Sequence, residues 1–104
     1  MNDHYILSVS GDPVPEPDII KWAHWFGASG EERMIARTTF ASGVVVSTVF
    51  LGLDHSFGHG APLLYETMIF GGALEGTQDR YTTRQEAINS HAAYVALVDQ
   101  QEGP

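Results

Sequence analysis

The stretch Val44–Phe70 reads VVVSTVFLGLDHSFGHGAPLLYETMIF, and its reading decides the fold. It opens with a long β-branched and apolar run, crosses a glycine-rich loop and returns in a second apolar run. Such residues suit a pleated, half-buried strand. Alternation puts Val44, Val46, Thr48, Phe50 and Asp54 on one face, and Val45, Ser47, Val49, Leu51, Leu53 and His55 on the other. A strand wetted on one side alternates more cleanly than this. The sequence therefore predicts a central strand over Val44–Asp54, covered on both faces, with a bend at Gly52. One small domain has few elements for that task, so a homodimer or higher homo-oligomer is expected. The second strand, Leu63–Phe70, puts Leu64, Glu66, Met68 and Phe70 on one face and Leu63, Tyr65, Thr67 and Ile69 on the other.

Working outward, Arg33–Phe40 alternates as a third strand, with Met34, Ala36, Thr38 and Phe40 on one face. Ala41-Ser42-Gly43 then supplies the short turn of an antiparallel pair. On the other side Gly71-Gly72 closes the second strand, and Ala73–Arg80 reads as a polar connection. Thr83-Arg84-Gln85-Glu86 is a capping-box signature. Ile88, His91, Ala92, Val95 and Val98 follow it at helical spacing, with Ala87, Tyr94 and Leu97 flanking. Residues 100–104 are expected to fray. Towards the N-terminus, residues 4–9 read as a short strand. Pro13, Pro15 and Pro17 make an extended connector. Asp18–Phe26 is a short helix with the stripe Ile19, Trp22, Ala23 and Phe26, ended by Gly27 and Gly30. The sum is a single α+β domain over residues 1–104. An antiparallel sheet of three or four strands packs against a C-terminal helix, and the N-terminal helix covers an edge or a second face.

Hydrophobic residues at 43% and charged residues at 17% place the chain among globular proteins. No run approaches the length of a membrane-spanning helix, so no membrane partner is expected. The first residues, MNDHYILSVSGD, lack a basic n-region and a long apolar run, which argues against a signal peptide. The absence of cysteine rules out thiolate metal sites and suits a reducing cytoplasm. A net charge of −8 with only five Lys and Arg argues against general nucleic-acid binding.

Three groups of side chains offer chemistry. Asp54, His55, His59 and Glu66 are oxygen and nitrogen ligands of the kind that hold zinc, manganese or iron. A divalent metal is therefore a second reading beside no cofactor at all. His91 lies in the apolar stripe of the last helix, so its ring meets the sheet. It is either a core histidine bonded to Glu66, Tyr65 or a threonine hydroxyl, or a general base or ligand contact in a pocket between helix and sheet, with Glu66–His91 the simplest acid/base pair. No G-x-S-x-G serine and no cysteine accompanies that pair as nucleophile. Arg33, Arg37, Arg80, Tyr81 and Arg84, with Trp22 and Trp25, are the groups available to hold a nucleotide-like anion by bidentate bonds and stacking. The candidate ligand-binding set is thus Asp54, His55, Glu66, His91, Arg37 and Tyr81, with Glu66 and His91 as catalytic candidates.

The runs STVFLGLDHSFG, PLLYETMIFGG and RYTTRQEAINSH, spanning roughly Arg33 to His91, resemble a group of small bacteriophage and actinobacterial proteins. The resemblance implies a phage or prophage accessory protein, such as an inhibitor of host defence that sequesters a nucleotide signal or binds a host protein. The leading expectation is a non-enzymatic binding protein. A metal-assisted hydrolase on the same groups and a virion-associated assembly protein are the alternatives.

Overall fold

The protein is described here by a computed structural model covering residues 2–103. Tyr5–Leu7 (β1) and Pro13–Pro15 (β2) pair as an antiparallel hairpin, so the proline-rich segment is a strand and not a bare connector. Its ladder bonds explain why prolines are tolerated. Ser8 N–H donates to Asp12 and Glu16 N–H donates to His4, and Ile6 faces Val14. The bonded pairs fall at even positions of β2, so Pro13 and Pro15 occupy positions that need no donor.

Helix α1 (Ile19–Ala28) is capped by Asp18, whose carboxylate accepts from the N–H groups of Ile20 and Lys21 at 2.9 and 3.2 Å. Gly27 lies inside the helix and does not end it. A single turn, α2 (Gly30–Arg33), follows, and Gly30 opens it. Arg33 folds back, 3.7 Å from the centroid of the Phe26 ring, and donates to the Phe26 carbonyl at 3.2 Å. It thereby closes the end of α1.

Four strands then form one antiparallel meander in the order β3 (Met34–Thr39), β4 (Val45–Phe50), β5 (Tyr65–Phe70), β6 (Gln78–Tyr81). Helix α3 (Arg84–Glu102) packs across it, which makes the fold α+β. The capping box is formed in both directions between Thr83 and Glu86. α3 continues through Glu102, beyond the point where fraying was expected, while Pro104 lies outside the described residues.

Four expectations are corrected. β4 is central, but it stops at Phe50, because Gly52 takes a φ of 75° and turns the chain. The polar connection contains β6, which zips Gln78–Tyr81 onto Met68–Tyr65. A register shift between Met34 and Ala36 sends Met34 to the opposite face from Ala36, so the strict alternation expected of that strand fails. The buried residues of α3 are Ala87, His91, Tyr94 and Val98, so the inward stripe is rotated away from Ile88 and Ala92.

The core occupies one face of the sheet. Leu7, Phe50, Leu64, Tyr65 and Ala87 form one cluster, with Trp25 and Ile35 against it. Val44, Val46, Ile69, Tyr94 and Val98 form the other. Trp22 fastens the N-terminal unit to the sheet through its indole N–H, shared between the carbonyls of Tyr5 at 3.1 Å and Gly52 at 3.0 Å. A Cβ on Gly52 would stand 3.1 Å from Phe26 Cδ2, on a backbone that L residues avoid. Gly52→Ala is expected to cost about 1–3 kcal/mol. Urea unfolding checks this, and an unmoved midpoint would contradict it.

Candidate functional site

The loop after β4 is built on Asp54. One carboxylate oxygen accepts from the N–H groups of Ser56 at 2.7 Å and Leu63 at 3.0 Å, and the other accepts from the Ser56 hydroxyl at 2.9 Å. Burial pushes this carboxyl up, but the bonds from Ser56 and Leu63 and the nearby His55 outweigh it, leaving the group below the ordinary carboxylate range. Asp54 therefore ties the two ends of the loop together. His55 donates through Nδ1 to the Leu53 carbonyl at 2.9 Å, and His59 is exposed at the loop tip.

Glu66 belongs elsewhere. It sits on β5 opposite Val49, on the sheet face that α3 does not touch, and its carboxylate accepts from Arg80 Nε at 2.9 Å. Its sequence neighbour Thr67 is fully buried on the other face. The proposed metal set is thus split. Asp54 is bonded into its loop, and Glu66 is ion-paired on a strand. Among the described residues, no three His, Cys, Asp or Glu side chains gather as a metal site would require.

His91 is a core histidine, 8% exposed. Its Nδ1 meets the Thr48 hydroxyl at 2.8 Å and its Nε2 meets the Thr38 hydroxyl at 2.9 Å. Thr48 in turn meets Thr67 at 2.6 Å. The network ties α3 to three adjacent strands, and burial lowers the imidazole's pKa. Because period-two alternation puts Glu66 and Thr67 on opposite faces, the Glu66–His91 acid/base pair does not form. Of the readings open to His91, the threonine hydrogen bonds are the ones present.

The arginine and aromatic set is equally dispersed. Arg33 covers Phe26, and Arg80 holds Glu66. Tyr81 bonds Ser90 on the α3 side, while Arg37 pairs with Ser47 on the outer face. Trp25 stands edge-on to Phe50 in the core, with ring centroids 6.0 Å apart. Tyr65 is buried, and its hydroxyl has no partner among the described residues.

What the sheet does expose is its outer face. The two central strands place Val45, Val49, Met68 and Phe70 there, and the edge strands place Thr39, Arg37, Gln78 and Arg80 around them. Phe70 is 49% exposed and Met34, at one corner, 37%. No described element packs over this face: α3 takes the inner one, and α1 packs on β1 and, through Trp25, on Phe50. The expectation of a strand covered on both sides is therefore met on one side only within the chain. The half-buried Val45, Val49 and Met68 and the exposed Phe70 were visible in the sequence, but which face stays open is set by how α3 and the hairpin crowd onto the other.

Two further features escaped the sequence reading. Phe57, at the loop tip, is 82% exposed and has a φ of 53°. At the far end of the sheet Ser42, Val44, Ile69, Gly72, Val98 and Glu102 line a cleft of about 280 Å³. The first had a signal, an aromatic residue inside a glycine-rich loop. The second had none, because its walls come from three distant segments.

The class this geometry defines is an α+β domain of a four-stranded meander and one long helix, open on its outer face. No protein-family model matches the chain, and neither the curated proteins nor the solved structures compared with it supply a match.

Proposed function

We propose that the chain is a small accessory binding protein without enzymatic activity, working as a homodimer through the outer face of its sheet. The observation that carries this is that face: Val45, Val49, Met68 and Phe70 on β4 and β5 beside Ser47 and Glu66, a polar rim of Arg37, Thr39, Gln78 and Arg80, and no element packed over it among the described residues. An apolar centre with a polar rim is the anatomy of a protein–protein interface. The side chains put forward for catalysis support the non-enzymatic part. Asp54 and His91 are engaged in holding the fold together, and Glu66 is engaged with Arg80. The resemblance to phage and actinobacterial proteins supports the accessory role.

Charge favours a second copy as the occupant. The chain as a whole carries −8, so identical surfaces repel over most of their area. The outer face differs, with Arg37 and Arg80 against the single acid Glu66. A two-fold axis parallel to the strands lays β3 over the partner's β6 and β4 over its β5. It brings Arg37 of one copy over Gln78 of the other, since both lie in the row Arg37, Ser47, Met68 and Gln78. In projection the face covers roughly 400 Å² at about 3.3 Å per residue and about 4.8 Å per strand. That is about half the roughly 800 Å² per partner of a standard interface, so a micromolar dimer is expected rather than a nanomolar one.

The chain has no cysteine, so Ser47→Cys puts a single thiol at the centre of the face. Its reaction with a thiol reagent is expected to slow as protein concentration rises through the micromolar range. Adding Phe70→Glu should restore the rate seen in dilute protein. A rate independent of concentration would falsify the pairing.

A further inference from the structure

We infer that copies of this chain also link head to tail, the Phe57 ring of one entering the cleft beside Val44 and Gly72 of the next. This goes beyond the sheet-face pairing and uses neither Phe70 nor Arg37, so the two stand or fall separately.

The projecting end is a built feature. A phenylalanine with a φ of 53° holds a left-handed conformation that costs an L residue energy, and Phe57 holds it while pointing an almost bare ring into solvent. Asp54 bonds to both ends of the loop, at Ser56 and Leu63, so the ring is presented on a braced base. Rigid aromatic anchors of this kind carry much of the energy in protein interfaces.

The receiving end fits it. The cleft has a volume of about 280 Å³ and an apolar floor of Val44, Ile69 and Val98. An apolar cavity of about 150 Å³ is enough to take a benzene ring, which leaves room here for Gly58 to follow the side chain in. The rims are complementary. Glu102 stands at the cleft, at the C-terminal end of α3, whose last turn has no basic residue. That end favours hydrogen-bond donors and positive charge. The imidazole of His59, two residues on from Phe57 and exposed, supplies such a donor.

Placement makes the contact intermolecular. The cleft opens where β4 begins and the loop lies beyond where β4 ends. The six residues of β4 alone, at about 3.3 Å each, set them roughly 20 Å apart. A chain cannot fill its own cleft. A contact between unlike surfaces repeats into a ring or a filament, which suits an assembly role.

Sedimentation velocity over a concentration series tests the link with two exposed-site variants, each first checked for an unchanged melting temperature. Phe57→Ala removes the ring, and Ala73→Trp fills the cleft mouth. Wild-type protein is expected to grow past two chains in weight-average mass as concentration rises, while each variant alone stops at two or fewer. An equimolar mixture of the two should regain growth, because one supplies the cleft and the other the ring. Growth that survives Phe70→Glu supports the link apart from the sheet face. A wild-type mass that never exceeds two chains overturns the inference. So does growth indifferent to Phe57→Ala, or a mixture that stays as small as its components.

Discussion

Phe50→Ala is expected to lower stability by about 3–5 kcal/mol, the range for a fully buried aromatic side chain cut back to a methyl group. Phe50 has no exposed surface and stands edge-on to both Trp25 and Tyr65, with centroids 6.0 and 5.4 Å away. It packs in one cluster with Leu7 of β1, Leu64 before β5 and Ala87 of α3. It is therefore the residue on which hairpin, α1, sheet and α3 meet, and aromatic pairs add about 0.5–1.5 kcal/mol each to the burial term. For a chain of this length total stability is of the order of 5–15 kcal/mol, so the substitution removes a large share of it. Each 1 kcal/mol is worth about 4–8 °C, which gives a fall in melting temperature of roughly 15 °C or more. Calorimetry checks this. A drop of only a few degrees would mean that the N-terminal unit is not anchored on Phe50.

His91→Ala is the second large effect, about 3 kcal/mol, from a cavity together with hydroxyls left short of a partner. Thr48 keeps Thr67, but Thr38 loses the imidazole. Changing the polar set together, His91→Leu with Thr38→Val and Thr48→Val, should recover much of the loss. Removing both sides of a buried hydrogen bond is cheaper than removing one. His91 also sets a pH dependence. Burial holds its folded-state pKa below the unfolded value of about 6.5. As pH falls through 6.5 the unfolded chain takes up the proton first, so stability is full above that value and declines beneath it until the folded-state pKa is reached. His91→Ala should flatten this part of the profile. The separate loss at more acid pH, where the depressed carboxyls of Asp54 and Glu86 protonate, should remain. Denaturant midpoints measured across this pH range would show it.

The parts of the fold governed by local chemistry were legible in the sequence. Thr83 and Glu86 announced α3 because a capping box is a contact three residues long. The β-branched run that opens at Val44 announced a central strand, and the apolar alternation of Leu63–Phe70 announced its neighbour. Pro13–Pro15 misled because a proline count ignores which ladder positions need a donor. Gln78–Tyr81 misled because a polar edge strand takes its structure from β5 and not from its own composition. At the candidate site, the sequence located the carboxylates and imidazoles but not their faces. Glu66 and Thr67 are neighbours in the chain and lie on opposite sides of the sheet. That separation turns a supposed acid/base pair into a surface ion pair and a core network. The open face was half legible. Two apolar sides to β4 were plain, but the absence of a second covering layer follows from how α1 docks on Gly52 through Trp22.

Sedimentation equilibrium on Phe57→Ala protein and on Phe57→Ala/Phe70→Glu, at matched micromolar concentrations, tests the outer face most directly, because both lack the ring of the head-to-tail link. Phe57→Ala should give the mass of two chains, and adding Phe70→Glu should give one chain with an unchanged circular dichroism spectrum and melting temperature. Phe57→Ala protein that stays at one chain throughout, or a dimer that Phe70→Glu leaves intact, would contradict the outer sheet face as the surface through which this protein works.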